Sequence, residues 1–182
     1  GIVGGRLRLT EAVGNQATAV SLQRLFPGAD NLIQVEFDYY AYDGNGADGV
    51  AIVFSDASIT PQAGGYGGSL GYAQEPDRTG GFAGGWLGIG IDEYGNYSNW
   101  SEGRQGGKRG RTPDSVAVRG AADLDYQYIA GSDALSPGID ATGRNAPHRY
   151  RITIDSRGAL PVLLVERDTT ATGTDYQEII SV

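Results

Sequence analysis

The chain has 182 residues, enough for one large domain around a single core, and its 14 Lys and Arg against 22 Asp and Glu leave a net charge of −8. A surface of that sign repels phosphate, so nucleic acid and anionic lipid are excluded as partners. No Cys occurs, which excludes a disulfide framework and thiolate metal sites, and the 30 Gly follow no collagen-like period but separate short apolar runs, the composition of an all-β chain with many tight turns.

The opening Gly1-Ile2-Val3-Gly4-Gly5, in a chain without Met, reads as the start of a mature fragment or excised domain, trimmed at both ends. Leu7 and Leu9 alternate with Arg6 and Arg8, and residues 18–26 follow as a longer extended run. Residues 32–40 alternate as a strand with one buried face, whereas 49–54 are nearly all apolar, as in a strand covered on both sides. Residues 87–91 and 115–119 are two more strands. Residues 149–155 alternate cleanly, turn at Ser156-Arg157-Gly158, and return over 160–166; residues 176–182 add a final strand. Two loop-rich stretches, 55–85 and 95–113, interrupt the series, and loops of that length inside one domain tend to carry function. No run approaches the ~20 apolar residues that cross a bilayer, so membrane insertion is not expected. The expectation is a single antiparallel β-sandwich domain over 1–182.

Three segments at strand ends carry usable chemistry. In Ala47-Asp48-Gly49 a carboxylate sits at the mouth of a buried strand and can accept bonds from neighbouring sugar hydroxyls. Gly64-Gly65-Tyr66-Gly67-Gly68-Ser69-Leu70-Gly71-Tyr72 is a Gly-rich turn in which the Gly68 N–H, with no side chain in the way, can approach a hydroxyl. In Asp92-Glu93-Tyr94-Gly95-Asn96, the Asp92 carboxylate, the Tyr94 carbonyl and the Asn96 amide are hard oxygen donors at alternate positions, suited to one Ca²⁺. The ring of Tyr94 or Tyr97 can lie against the apolar face of a pyranose.

These segments, in this order, resemble the L-type (legume-lectin-like) lectins, whose Ala-Asp-Gly strand, Gly-x-Leu-Gly turn and Asp-x-aromatic-x-Asn metal strand match Ala47-Asp48-Gly49, Gly68-Ser69-Leu70-Gly71 and Asp92-Glu93-Tyr94-Gly95-Asn96. The likeness extends to 149–166 as a late hairpin and 7–26 as early strands, so it covers most of the chain. The Asp-Glu-Tyr-Gly-Asn wording is closest to lectin-like modules of bacterial adhesins and pilus-associated proteins. The resemblance implies a concanavalin-like sandwich that binds glycans without catalysis, from a secreted or cell-surface protein. It implies a sugar site of Asp48, Gly68, Tyr94 and Asn96, and Ca²⁺ held by Asp92, Tyr94 and Asn96. The Ala47–Asp48 peptide is expected to be cis. Gly90 stands where plant lectins carry a transition-metal Glu, so no second metal site is expected. For the remaining Ca²⁺ carboxylate, Glu102 and Asp114 are candidates, Glu102 favoured.

Several residues have plainer readings. Trp86 and Trp100 read as core or loop anchors, His148 as exposed and inert, and Arg104, Lys108, Arg109 and Arg111 as a solvated basic loop. Catalysis is disfavoured: the strand with Gly90, Asp92 and Glu93 lacks the paired carboxylates of a sandwich-type glycosidase, and adjacent strand residues face opposite ways. No nucleophile elbow, phosphate loop, zinc motif or dinucleotide fingerprint occurs. The rival reading is a structural or peptide-binding sandwich of an adhesin or extracellular fibre, with neighbouring subunits adding strands at its edges.

Overall fold

The computed structural model describes residues 1–75, 80–140 and 142–182; residues 76–79 of the first loop-rich stretch lie outside the described residues. Two strands of two residues each, β1 (Ile2–Val3) and β2 (Arg6–Leu7), pair as a small hairpin. The larger strands are β3 (Leu32–Tyr39), β4 (Gly49–Ser55), β5 (Gly85–Asp92), β6 (Ser115–Arg119), β7 (Tyr128–Gly131), β8 (His148–Asp155), β9 (Val162–Asp168) and β10 (Gln177–Ser181). They form two antiparallel four-stranded sheets, ordered β10-β9-β8-β3 and β4-β5-β6-β7.

Period-two alternation decides what each strand buries. Ile33, Val35, Phe37 and Tyr39 of β3 point to the same core as Tyr150, Ile152 and Ile154 of β8, and from the other sheet Ile89, Ile91, Val116 and Val118 meet them. Each fully buried aliphatic side chain contributes about 1.5–3 kcal/mol relative to exposure, and this shared apolar layer makes the two sheets a sandwich. On the solvent side of the β10-β9-β8-β3 sheet, Arg149 bonds Asp38 across to β3 and Arg151 bonds Glu166 across to β9, each through two nitrogens.

The second sheet is covered on both faces, as the apolar run of β4 requires. Its outer side carries a smaller cluster of Tyr72, Ala73, Tyr97, Ala117 and Tyr126, with Ala51 and Val53 against it. The two loop-rich stretches supply its cover. A Cβ on Gly88 would fall 2.2 Å from the Tyr72 ring, and one on Gly90 would fall 2.3 Å from the Tyr97 ring. The glycines of β5 are therefore seats for aromatic rings, which bond back to the sheet through Tyr72 Oη to the Gly120 carbonyl and Tyr97 Oη to the Gly88 carbonyl.

Some expectations are corrected. Residues 18–26 form no strand, because nothing in the described residues pairs with them: Val20, Leu22 and Leu25 are 63%, 88% and 77% exposed. His148 is buried, not exposed, because it occupies an inward position of β8 between β3 and β9. Trp86 is partly exposed but sets its ring edge-to-face against Phe54 of the main core at 6.5 Å, whereas Trp100, 60% exposed, belongs to neither core.

Candidate functional site

The β4–β5 register builds the site. Gly49 opposes Asp92, so Asp48 lies beside the start of the loop that leaves β5, and the Tyr94 N–H donates to the Asp48 carbonyl at 3.1 Å. The Ala47–Asp48 peptide is cis, as the resemblance implies. Asp48 is half-buried at the mouth of the sheet.

Asp92 shapes the loop. Its carboxylate is fully buried and accepts the N–H of Gly95 at 2.8 Å and of Tyr97 at 2.7 Å. Gly95 turns the chain with φ +95°, and a Cβ there would fall 2.4 Å from Pro113 N, so a side chain is excluded twice over. Beyond it Tyr97 drops onto Gly90, while Asn96 stays half-buried beside the Gly67–Ser69 turn. A Cβ on Gly68 would lie 2.6 Å from Asn96 Cβ and 3.2 Å from both Asn96 Nδ2 and Glu102 Oε2. Gly68, Asn96 and Glu102 thus meet at one place.

Asp48 is coupled to this place by charge. Burial, and then the like charge of Glu102, push the Asp48 carboxyl above its ordinary range. Burial pushes Asp92 up to about 6, opposed by the Gly95 and Tyr97 N–H groups and by Arg104, and reinforced by Asp48. Three carboxylates therefore share one electrostatic neighbourhood with negative charge in excess.

The other candidates separate. Tyr94 is exposed, with the Arg111 guanidinium 4.2 Å from its ring centroid, so one ring face is already covered by a cation. Asp114 turns the other way: its Oδ1 accepts the Ile139 N–H at 2.6 Å, and it packs against Gly138. Glu102, exposed and beside Asn96, is the better placed of the two carboxylates.

Two arginines were not singled out as site residues. Arg104, expected in a solvated loop, is buried because every N–H of its guanidinium finds an acceptor. Nε bonds the Asn99 carbonyl at 3.3 Å, Nη1 bonds Ser69 Oγ at 2.9 Å and Glu102 Oε2 at 2.8 Å, and Nη2 bonds Asn99 Oδ1 at 3.1 Å and Ser101 Oγ at 2.9 Å. Arg119 does the same for the loop backbone, donating to the carbonyls of Tyr97, Gln105, Tyr126, Asn99 and Gly106. The sequence signal for Arg104 is the run Asn99-Trp100-Ser101-Glu102, which spaces polar acceptors just ahead of it. Lys108 is likewise engaged, with the Ser132 carbonyl and, at 3.1 Å, with Asp133.

No family model, characterised protein or solved structure matches this chain.

The oxygens of Asp92, Tyr94, Asn96 and Glu102 are the candidate donors for Ca²⁺. Among the described residues no group of three or more His, Cys, Asp and Glu is placed to hold a metal, but the candidate set draws half its oxygens from a carbonyl and an amide. Each Asp92 oxygen accepts one N–H and keeps a second lone pair, and Glu102 meets Arg104 through Oε2 alone. Hard oxygens and surplus negative charge suit Ca²⁺.

Proposed function

We propose that this domain is a non-catalytic carbohydrate-binding module of the L-type lectin kind, supported by Ca²⁺ and belonging to a secreted or surface-exposed bacterial protein. One observation carries the reading: Gly68, Asn96 and Glu102, from two separated loops, meet at one place, and Asp48, whose carbonyl holds the Tyr94 N–H of the same β5 loop, feels the charge of Glu102. In a sugar complex, the Asp48 carboxylate accepts from two adjacent hydroxyls, the Gly68 N–H and Asn96 Nδ2 donate, and the free face of Tyr94 carries the apolar side of the ring. Ca²⁺, held by Asp92, the Tyr94 carbonyl, Asn96 and Glu102, would neutralise the carboxylates and fix Asn96. A shallow site for one sugar corresponds to a Kd on the order of 1 mM, and repeated copies would tighten binding through avidity.

A glycan array probed with wild type and Asp48→Asn, each with CaCl2 and with chelator, tests this. Expected are a small set of glycans bound by wild type and none by the variant, whose melting temperature stays close to wild type. An array blank for wild type in both buffers, or unchanged by the substitution, removes the sugar site.

A second reading, a strand-sharing subunit of a fibre or adhesin that binds peptide, is favoured by the apolar residues along 13–25: Val13, Val20, Leu22 and Leu25 are all exposed. It predicts concentration-dependent assembly on size-exclusion chromatography and a blank array. Among the described residues no helix is long and apolar enough to cross a membrane.

A further inference from the structure

We propose that Arg104 is the positioning residue of this site: a built-in cation that holds the Gly67–Ser69 turn and the Asn96–Glu102 loop in their binding arrangement without a divalent ion. The inference rests on the site proposed above and says what keeps its shape. Ca²⁺ is then an aid to binding and not a condition for the loops to form.

Burying a guanidinium is costly unless its charge and all its N–H groups are met. Here the side chain of Arg104 is 0% exposed and its five N–H groups have five acceptors. Those acceptors belong to two different segments. Ser69 follows Gly68 in the turn; Asn99, Ser101 and Glu102 follow Asn96 in the loop. Through Nη1 alone Arg104 joins the two, at 2.9 Å to Ser69 Oγ and 2.8 Å to Glu102 Oε2. Ser69 Oγ passes the link on to the Gln74 carbonyl, and Asn96 Oδ1 accepts from Asn99 Nδ2, whose partner oxygen Arg104 holds. The Asn99 carbonyl is shared with Arg119, which pins the same loop to the sheet. The positive charge sits among Asp48, Asp92 and Glu102, where repulsion would otherwise spread the loops apart. A lysine offers one nitrogen and no planar fork, so the role is specific to arginine.

Hydrogen exchange of wild type, Arg104→Lys and Arg104→Gln, each in chelator and in CaCl2 alone, tests the proposal without a sugar. In wild type, the amides of Gly95, Tyr97, Asn99 and Arg104 keep the same protection in both buffers. In Arg104→Gln they exchange at least about tenfold faster in chelator, as loss of charged hydrogen bonds implies, while amides of β8 and β9 do not change. CaCl2 returns part of that protection, because it supplies the missing positive charge; Arg104→Lys falls between. Protection that collapses in wild type on chelation overturns the proposal, and so does an Arg104→Gln loop that exchanges like wild type. Should Arg104→Gln not fold, the wild-type comparison and Arg104→Lys still decide. A blank glycan array with this exchange pattern intact would remove the sugar reading and leave the role of Arg104 standing.

Discussion

On its inner face the β4-β5-β6-β7 sheet offers Ile89, Ile91, Val116 and Val118 to the opposite sheet, while on its outer face the same two strands offer Gly88, Gly90, Ala117 and Arg119 to Tyr72, Tyr97 and Tyr126. The inner layer is held by apolar area, which is non-directional and tolerates small losses. The outer layer is held by rings seated on bare backbone and by guanidinium bonds to loop carbonyls, both of which need defined geometry. The candidate site sits with the second kind of packing. The candidate ligand residues ride on loops that have few apolar contacts of their own, so their positions depend on directional bonds.

The largest effect expected from breaking the outer layer is at Arg119. Arg119→Leu leaves the buried Tyr97 and Tyr126 carbonyls without a donor and takes one of two donors from the Asn99 and Gln105 carbonyls; at roughly 1–3 kcal/mol for each unmet carbonyl, a total loss of about 3 kcal/mol is expected in urea unfolding. Burial lowers the Arg119 pKa to about 10, still far above neutral, so the charge is present throughout the pH range of such an experiment. A loss below about 1 kcal/mol would mean that water replaces the guanidinium, and the outer layer would then not depend on its directional bonds.

One added methyl and one removed methyl sharpen the contrast. Gly90→Ala sets a Cβ against the Tyr97 ring and is expected to cost about 1–3 kcal/mol by overpacking. Ile89→Val, the adjacent residue facing the main core, is expected to cost about 0.5–1.5 kcal/mol. Equal effects would show that the two faces are equally forgiving.

The loop between β9 and β10 is held by a carboxylate where the outer layer uses arginine, and it should therefore respond to acid. Asp168 is fully buried by its own loop and accepts from the Thr170 N–H and Oγ1, Thr172 Oγ1 and the Gly173 N–H. Burial alone would raise its pKa, but those bonds outweigh it and hold the group well below the usual carboxylate range. A depressed folded value means stabilisation that is complete above the unfolded value of about 4 and fades as pH falls through the lower folded value. Asp168→Asn should lower the melting temperature at pH 7 and flatten its fall below about pH 4. A variant whose acid limb matches wild type would assign acid lability elsewhere.

The inner layer was legible in the sequence and the outer one largely was not. Alternation marked 32–40 and 149–155, and 115–119 read as a further strand; the observed strands Leu32–Tyr39, His148–Asp155 and Ser115–Arg119 follow these readings closely. Tyr128–Gly131 was missed because its four residues present only Tyr128 and Ala130 to the cores, too short a pattern to read. The run 18–26 looked extended, but extended backbone becomes a strand only beside a partner. Asp48, Gly68 and Asn96 stood out through their motifs, since a short polar residue at a strand mouth has few uses, whereas Glu102 was one of two candidate carboxylates until Asp114 was found bonded to the Ile139 N–H. Arg104 and Arg119 were not, since a basic residue in a polar loop looks solvated until its acceptors fold around it. Gly88 and Gly90 likewise reveal their purpose only once the Tyr72 and Tyr97 rings lie on them.

The smallest stability change is expected at Trp100, and there the contrast between packing and binding can be read in one residue. Trp100 is 60% exposed, between Asn99 and Ser101, both of which bond Arg104. Because the ring fills no cavity, Trp100→Ala should change stability by no more than about 0.5 kcal/mol. An exposed indole on the same loop as Asn96 and Glu102 is costly in solubility unless something lies against it, so binding is where the substitution should register. Reduced glycan binding with an unchanged melt would extend the site from Asp48 and Asn96 to the loop tip. A drop of several degrees in the melt would instead mean that the ring supports the Arg104 loop from outside, and that directional packing reaches further than the buried layer.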